Sequence, residues 1–307
     1  MQALLLRLMN PIIFVNMSVP KRVLLRLDGY PWSSFFVALA LVLGGCSSQQ
    51  EVAEETAPVL KLQPQLIEVL QPADIQILTD SLVPALLYSN IIGLNTLPLD
   101  EKKMRFISAL LPAILVVKHE LELERANFLS MLKKPAWDGA DSLYYQELTD
   151  LYRTDDPVKI LSAMETHPNS IVLAQAAVES GWGNSRIFGT ANNLFGIWSF
   201  NVNEPRVAAS LKRDGKTIYL RKYADISESI SDYFVTLGRS RPYASFRKAR
   251  EETDSVELLL PHLLYYSERR ESYTDQLRSL IRFNDLKRFD DYRLDSAYFV
   301  GQKIAMK

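Results

Sequence analysis

Apolar residues along this chain fall mostly at helical spacing, interrupted by one stretch that alternates. Pro72-Ala73-Asp74 opens a segment with apolar Ile75, Ile77, Leu78, Leu82 and Val83, read as helical. Asp100 to Leu132 is more strongly periodic: Phe106, Leu110, Leu111, Ile114 and Leu115, then Leu121, Leu123, Phe128, Leu129 and Leu132. Lys118, Glu120, Glu122, Glu124 and Arg125 supply its polar face. Pro112 inside this run predicts either a kink or two abutting helices, because proline removes a backbone donor. Shorter helices are predicted over Asp141 to Tyr152 and Asp156 to Met164. Pro168-Asn169-Ser170 starts another, whose body from Ile171 to Glu179 is crowded with Ala174, Ala176 and Ala177. Small side chains admit a close neighbour, so this helix is expected to be central and buried. Gly181 and Gly183 stop it.

The period then changes. Leu194 to Phe200, Arg206 to Lys212 and Thr217 to Tyr223 read as short strands, with an Asp-Gly turn at Asp214-Gly215. Asp225 caps a further helix, with Glu228 three residues on as in a capping box. Helices continue through Tyr233, Val256 to Tyr265 and Tyr273 to Phe283, and Arg278 and Lys287 read as a solvated face. The expected fold is α+β and mainly helical, with a small β-hairpin lobe. An N-terminal helical region at 63–150 would precede a domain at 151–290, with 291–307 as a tail.

The first forty-five residues read as an address. Phe35 to Gly45 is apolar and uncharged, too short to span a bilayer, which needs about 20 apolar residues. It suits the h-region of a signal peptide, with Lys21, Arg22 and Arg26 as the basic flank. Leu43-Gly44-Gly45-Cys46 resembles a bacterial lipobox, in which lipid on Cys46 anchors the chain without spanning the membrane. Residues 1–45 are thus expected to be a lipoprotein signal peptide, with Met17 a better start than Met1. Residues 46–62, polar from Ser47 onward, would be the tether. Ser47 in place of Asp resembles the outer-membrane sorting pattern, so a periplasm-facing, lipid-anchored location is expected. Loss of Arg7, Lys21, Arg22, Arg26 and Asp28 would leave 31 basic and 35 acidic residues.

Composition narrows the chemistry. The 307 residues are 48% hydrophobic and 23% charged, ordinary globular proportions that exclude a collagenous or wholly disordered chain. A formal net charge of -1 gives no case for a nucleic-acid partner. His119, His167 and His262 are far apart in sequence, and Cys46 is the single cysteine. Neither a Cys/His zinc site nor an intramolecular disulfide can be built from them, and no cofactor is implied.

Glu179 is the focus of the remaining chemistry. It sits in the last turn of an apolar helix, where the helix dipole and low-dielectric surroundings both favour the neutral acid. A carboxylic acid still protonated near neutral pH can protonate the leaving oxygen of a glycoside. Gln175, one turn earlier, lies on the same face and could orient it.

The run Leu173-Ala174-Gln175-Ala176-Ala177-Val178-Glu179-Ser180-Gly181-Trp182-Gly183 closely resembles the signature of glycoside hydrolase family 73, peptidoglycan-cleaving β-N-acetylglucosaminidases. Asn192-Asn193-Leu194-Phe195-Gly196-Ile197 follows at the family's spacing. Arg221-Lys222-Tyr223 matches a third block, although Leu220 stands where the family usually has Phe. Two flanks, from Lys102-Lys103 to Arg125 and Tyr266-Ser267-Glu268-Arg269, resemble one longer bacterial member, with His119 departing from an expected Asn. The resemblance implies a lysozyme-like fold, peptidoglycan glycan strands as substrate, and Glu179 as general acid. It also implies a supporting tyrosine across the cleft at Tyr266, although the doublet Tyr265-Tyr266 leaves a one-residue shift open.

For a second carboxylate, Glu204 is the best-placed acid, either activating a water or serving as a solvated turn residue beside Pro205. The reaction need not require it, since the substrate's N-acetyl group can act as internal nucleophile. Trp182, Phe195, Tyr223 and Tyr243 are candidates to line the groove, where sugar C–H faces pack on aromatics. Asn193 is a candidate to hydrogen-bond an acetamido group, and Phe195 reads more readily as core. Three functions remain open at this level: hydrolysis at N-acetylglucosaminyl bonds, lytic transglycosylation on the same fold, and a non-catalytic wall-binding scaffold.

Overall fold

The computed structural model describes residues 59–213 and 215–302. The expected signal peptide, Cys46, nearly all of the tether, Asp214 of the hairpin turn and residues 303–307 lie outside them. Residues 62–300 form one compact unit.

The long helix α1 spans Leu99–Leu132 without a break at Pro112, so the alternative of two abutting helices is not realised. The reason lies in its surroundings: Phe106 to Val117 are buried on every face, so packing holds the turn that proline weakens. α2 (Gly139–Tyr152) and α3 (Pro157–Ala163) follow, each capped by an aspartate: Asp138 accepts from Asp141 N, and Asp156 from Val158 N.

The segment before α1 corrects the sequence reading. The region expected to be helical from residue 63 becomes helical only at Leu99; before it lie short strands and 3-10 turns. β1 (Gln65–Glu68) pairs in parallel with β3 (Leu86–Ser89), and β2 (Leu82–Val83) pairs in parallel with β6 (Arg293–Leu294). Pro64, Pro72, Pro84 and Pro98 recur too often for a helix to be built between them. Even so, Val69, Ile75, Val83, Leu86, Tyr88, Ile91 and Leu94 enter the same core as the helices. The boundary drawn at 150/151 therefore falls inside one hydrophobic core.

At the centre of that core is α4, Asn169–Ser180, buried from Asn169 through Ala177. Its first turn is fastened by distant groups. Asp290 accepts from Ser170 N at 2.7 Å and from Ser170 Oγ at 2.9 Å, Asn169 Nδ2 donates to Phe289 O, and Lys118 Nζ donates to Asn169 Oδ1. Its last turn ends where Gly181, Trp182 and Gly183 all take positive φ. Left-handed backbone at three successive residues stops the helix abruptly one residue after Ser180.

α5 (Arg186–Ala191) leads to an antiparallel hairpin, β4 (Arg206–Arg213) and β5 (Lys216–Arg221). The third expected strand, 194–200, is reduced to a bridge between Trp198 and Leu220. Two backbone bonds make that bridge, Arg221 N to Ile197 O and Ser199 N to Tyr219 O, while Asn193 Oδ1 takes the Ile197 N–H. α6 (Ile226–Arg239) is capped by Asp225 as expected, but Glu228 accepts from Ala224 N instead of closing a capping box. α7 (Ala244–Glu252), α8 (Val256–Leu259) and α9 (Glu271–Phe283) complete the helices. Residues 260–266 form a 3-10 turn where a longer helix was expected, with Pro261 withdrawing a donor at its start. Mainly helical α+β architecture with a hairpin lobe is what the sequence pattern anticipates. Among the described residues no helix is long and apolar enough to cross a membrane.

Candidate active site

The abrupt end of α4 leaves Glu179 exposed while Ser180 and the helix up to Ala177 are buried. Protein nevertheless crowds the carboxyl, and that desolvation pushes its pKa up; a hydrogen bond from Tyr273 and the charge of Arg269 pull the other way without cancelling it. The helix that carries Glu179 is thus rigid, and the acid itself faces solvent in a form biased toward holding its proton.

Tyrosines surround this carboxyl. Tyr266 is half-buried and stacks on Tyr273 with ring centroids 5.6 Å apart and planes 7° apart. It also meets Tyr243 at 5.9 Å. Burial first, and then the charge of Glu179, push the Tyr243 phenol up to about 12. Burial, Tyr273 and Glu179 push Tyr266 well above the ordinary range. Tyr265 points elsewhere: it is exposed and lies under the Arg270 guanidinium. The doublet is therefore resolved in favour of Tyr266 as the residue beside Glu179.

Other candidates are placed differently. Gln175 is fully buried and cannot contact a substrate; its amide lies between Tyr233 and Tyr273. Asn193 is buried and donates to Ile197 O and Arg221 O, so it has no amide group left for an acetamido partner. Phe195 is core, stacked on Tyr233 with centroids 4.2 Å apart. Tyr223 is buried and donates to Asp232 Oδ2 at 2.6 Å, which removes it from the groove. For Asn193 and Tyr223 the reason is the same: a residue type suited to sugar binding is equally suited to fastening loops, and here the fastening took the polar atoms, while Phe195 lies in the core as its sequence favoured.

Trp182 remains half-buried, its ring meeting Phe106 edge-on at 5.6 Å beneath Lys103 Nζ. Glu204 lies 3.5 Å from Arg221, which also pairs with Asp232 at 2.5 Å. Its carboxylate is thus held in an ion-pair cluster at the base of the hairpin instead of standing as a solvated turn residue.

Sequence reasoning missed Tyr273, Tyr233, His167 and Arg269. A signal existed for two of them. Tyr233 interrupts the aliphatic stripe Ile226, Ile230, Leu237 on α6, and Tyr273 shares a face with Leu277 and Ile281 on α9. A tyrosine on a buried stripe carries a hydroxyl that needs a partner. Among the described residues no group of three or more His, Cys, Asp or Glu could hold a metal ion.

Residues 156–286 match the glucosaminidase family, described as mannosyl-glycoprotein endo-beta-N-acetylglucosaminidase. This segment is a glucosaminidase domain. The chain is therefore a glycoside hydrolase, and the domain contains Glu179 and every tyrosine around it. The chain is similar to Protein bax of Escherichia coli, 26% identical over 60% of this chain and 70% of that one. It is also similar to Peptidoglycan hydrolase FlgJ of Salmonella typhimurium, 31% identical over 32% of this chain and 35% of that one, so it spans about a third of FlgJ. Among solved structures, the catalytic domain of the autolysin Auto from Listeria monocytogenes is 22% identical, with a TM-score of 0.36 over 55% of this chain and 97% of that one. A peptidoglycan hydrolase from Sphingomonas is 27% identical, with a TM-score of 0.33 over 47% and 92%.

Proposed function

We propose that this glucosaminidase cleaves N-acetylglucosaminyl β-1,4 bonds in the glycan strands of peptidoglycan, with Glu179 as the general acid. The observation that carries the reading is the exposed Glu179 carboxyl at the end of a buried helix, with its pKa raised by desolvation and tyrosines on its flanks. Glu179 gives its proton to the leaving glycosidic oxygen as the C1–O bond breaks. Water, or first the substrate's own acetamido oxygen, then attacks C1. Tyr266 and Tyr243 present ring surface and hydroxyls beside the acid, suited to a sugar. Lipid on Cys46 would hold the enzyme at the outer membrane, facing the periplasm, as the h-region, basic flank and lipobox together suggest.

Digestion of purified sacculi, with mass spectrometry of the released fragments, tests this directly. Wild-type protein beginning at Ser47 is expected to release fragments with reducing N-acetylglucosamine ends, and Glu179→Gln none. Anhydro-muramyl ends would instead make the enzyme a lytic transglycosylase. Binding to sacculi by both proteins, with release by neither, would leave a wall-binding scaffold.

A further inference from the structure

Glu179 is the exposed end of a hydrogen-bonded chain that runs back through the core. His167 Nε2 lies 2.9 Å from Tyr233 Oη. Tyr233 Oη donates to Gln175 Oε1 at 2.7 Å, and Gln175 Nε2 donates to Tyr273 Oη at 3.1 Å. The Tyr273 hydroxyl stands next to the Glu179 carboxyl, close enough to act on its pKa. The four inner residues are 0–2% exposed, so water does not substitute for a broken link.

Counting protons leaves this chain one direction. Tyr233 has a single proton, which goes to Gln175, so its oxygen must accept from His167. That requires a neutral imidazole carrying its proton on Nε2. The Gln175 N–H occupies the Tyr273 oxygen as an acceptor, and the one Tyr273 proton is then directed at Glu179. Every donor points toward the acid. The far end agrees: His167 Nδ1 is buried with no partner, which suits a bare lone pair better than an N–H. Desolvation, reinforced by the charges of Arg250 and Lys118, keeps that ring neutral.

We infer that this chain distinguishes the two oxygens of the Glu179 carboxyl. Resting on the reading of Glu179 as the acid, the oxygen that accepts from Tyr273 is kept free of a proton, and the acidic proton resides on the other oxygen, which is free to face the substrate. Once the proton has left, the new carboxylate charge is met by a donor already in place. Tyr273, Gln175, Tyr233 and His167 are positioning residues, and none of them contacts the sugar. A remote break has the same effect as a near one. In Tyr233→Phe the buried Gln175 Oε1 loses its donor, the amide is held less firmly, its N–H polarises Tyr273 less, and Tyr273 becomes a poorer donor to Glu179.

The test is the titration of the Glu179 carboxyl carbon by NMR in the full chain, alongside kcat and KM against pH. The proteins are wild type, Tyr273→Phe, Tyr233→Phe, and the exposed Tyr265→Phe as control. Tyr273→Phe keeps the ring that stacks on Tyr266, so a folded protein is expected. Arg269, Tyr243 and Tyr266, the other groups that act on Glu179, are unchanged in every variant. The Glu179 midpoint should move upward by about one pH unit in Tyr273→Phe and in the same direction in Tyr233→Phe. The basic limb of kcat should follow it, with KM nearly unchanged and Tyr265→Phe like wild type. Midpoints that stay at the wild-type value in both Phe variants overturn the inference while leaving Glu179 as the acid. Wild-type activity in Glu179→Gln overturns the acid reading itself, and the proton placement with it.

Discussion

At the scale of single residues, the balance at Glu179 sets a pH response. Desolvation raises its pKa, and Arg269 lowers it by charge. If the protonated form is the working acid, activity is level below that pKa and falls as pH rises through it. Arg269→Ala removes a lowering influence, so the basic limb should move to higher pH. Because Arg269 is exposed, the shift should be only a few tenths of a unit, roughly what solvent-screened charges give. A pH–rate profile of the variant checks both direction and size; a shift to lower pH would contradict the assignment of charges. The sequence made Glu179 and Tyr266 legible because their order along the chain follows a family pattern. It did not distinguish a polar atom offered to a ligand from one already used, as at Asn193 and Tyr223. That distinction depends on partners up to 28 residues away.

At the scale of elements, close approach between helices fixes the frame that holds α4. Gly238 on α6 has no room for a side chain: a Cβ there would meet Ala163 O at 2.6 Å and Tyr152 at 3.2 Å. Both neighbours belong to a second, smaller cluster with Phe128, Met131 and Leu148. Gly238→Ala should therefore cost about 1–3 kcal/mol, since a backbone oxygen yields less readily than a flexible side chain. Chemical denaturation measures it, and an unchanged midpoint would mean that α6 can shift away from α3 freely. The helices were the legible elements, because their apolar spacing and aspartate caps are local signals. Strands β1 to β3 were not, since β1 and β3 pair in parallel across a loop, β2 finds its partner at Arg293–Leu294, and their apolar residues mimic a helical stripe. The prolines between them were the available signal.

At the scale of the whole molecule, the segment matched by the glucosaminidase family shares its core with residues that precede it. Leu94 and Phe106, both outside it, close over the turn that follows Glu179: a Cβ on Gly183 would meet them at 2.9 and 3.2 Å. A fragment of residues 151–290 would expose the apolar faces that α1 and residues 69–94 cover. It should fail to unfold cooperatively, and it should lose activity together with structure. Calorimetry of the fragment beside residues 59–302 decides this. A sharp transition in the fragment would show that the preceding residues are accessory.

The fastening of the first turn of α4 also has a meaning in time. The helix carrying the acid makes its own backbone hydrogen bonds within twelve residues, Asn169–Ser180. Its clasp, the Asp290 carboxylate on Ser170, is encoded 120 residues later. During synthesis the acid is thus made early and locked late. A nascent chain holds Glu179 long before it holds a finished catalyst, so the order of translation itself delays the onset of activity until nearly the whole domain has emerged.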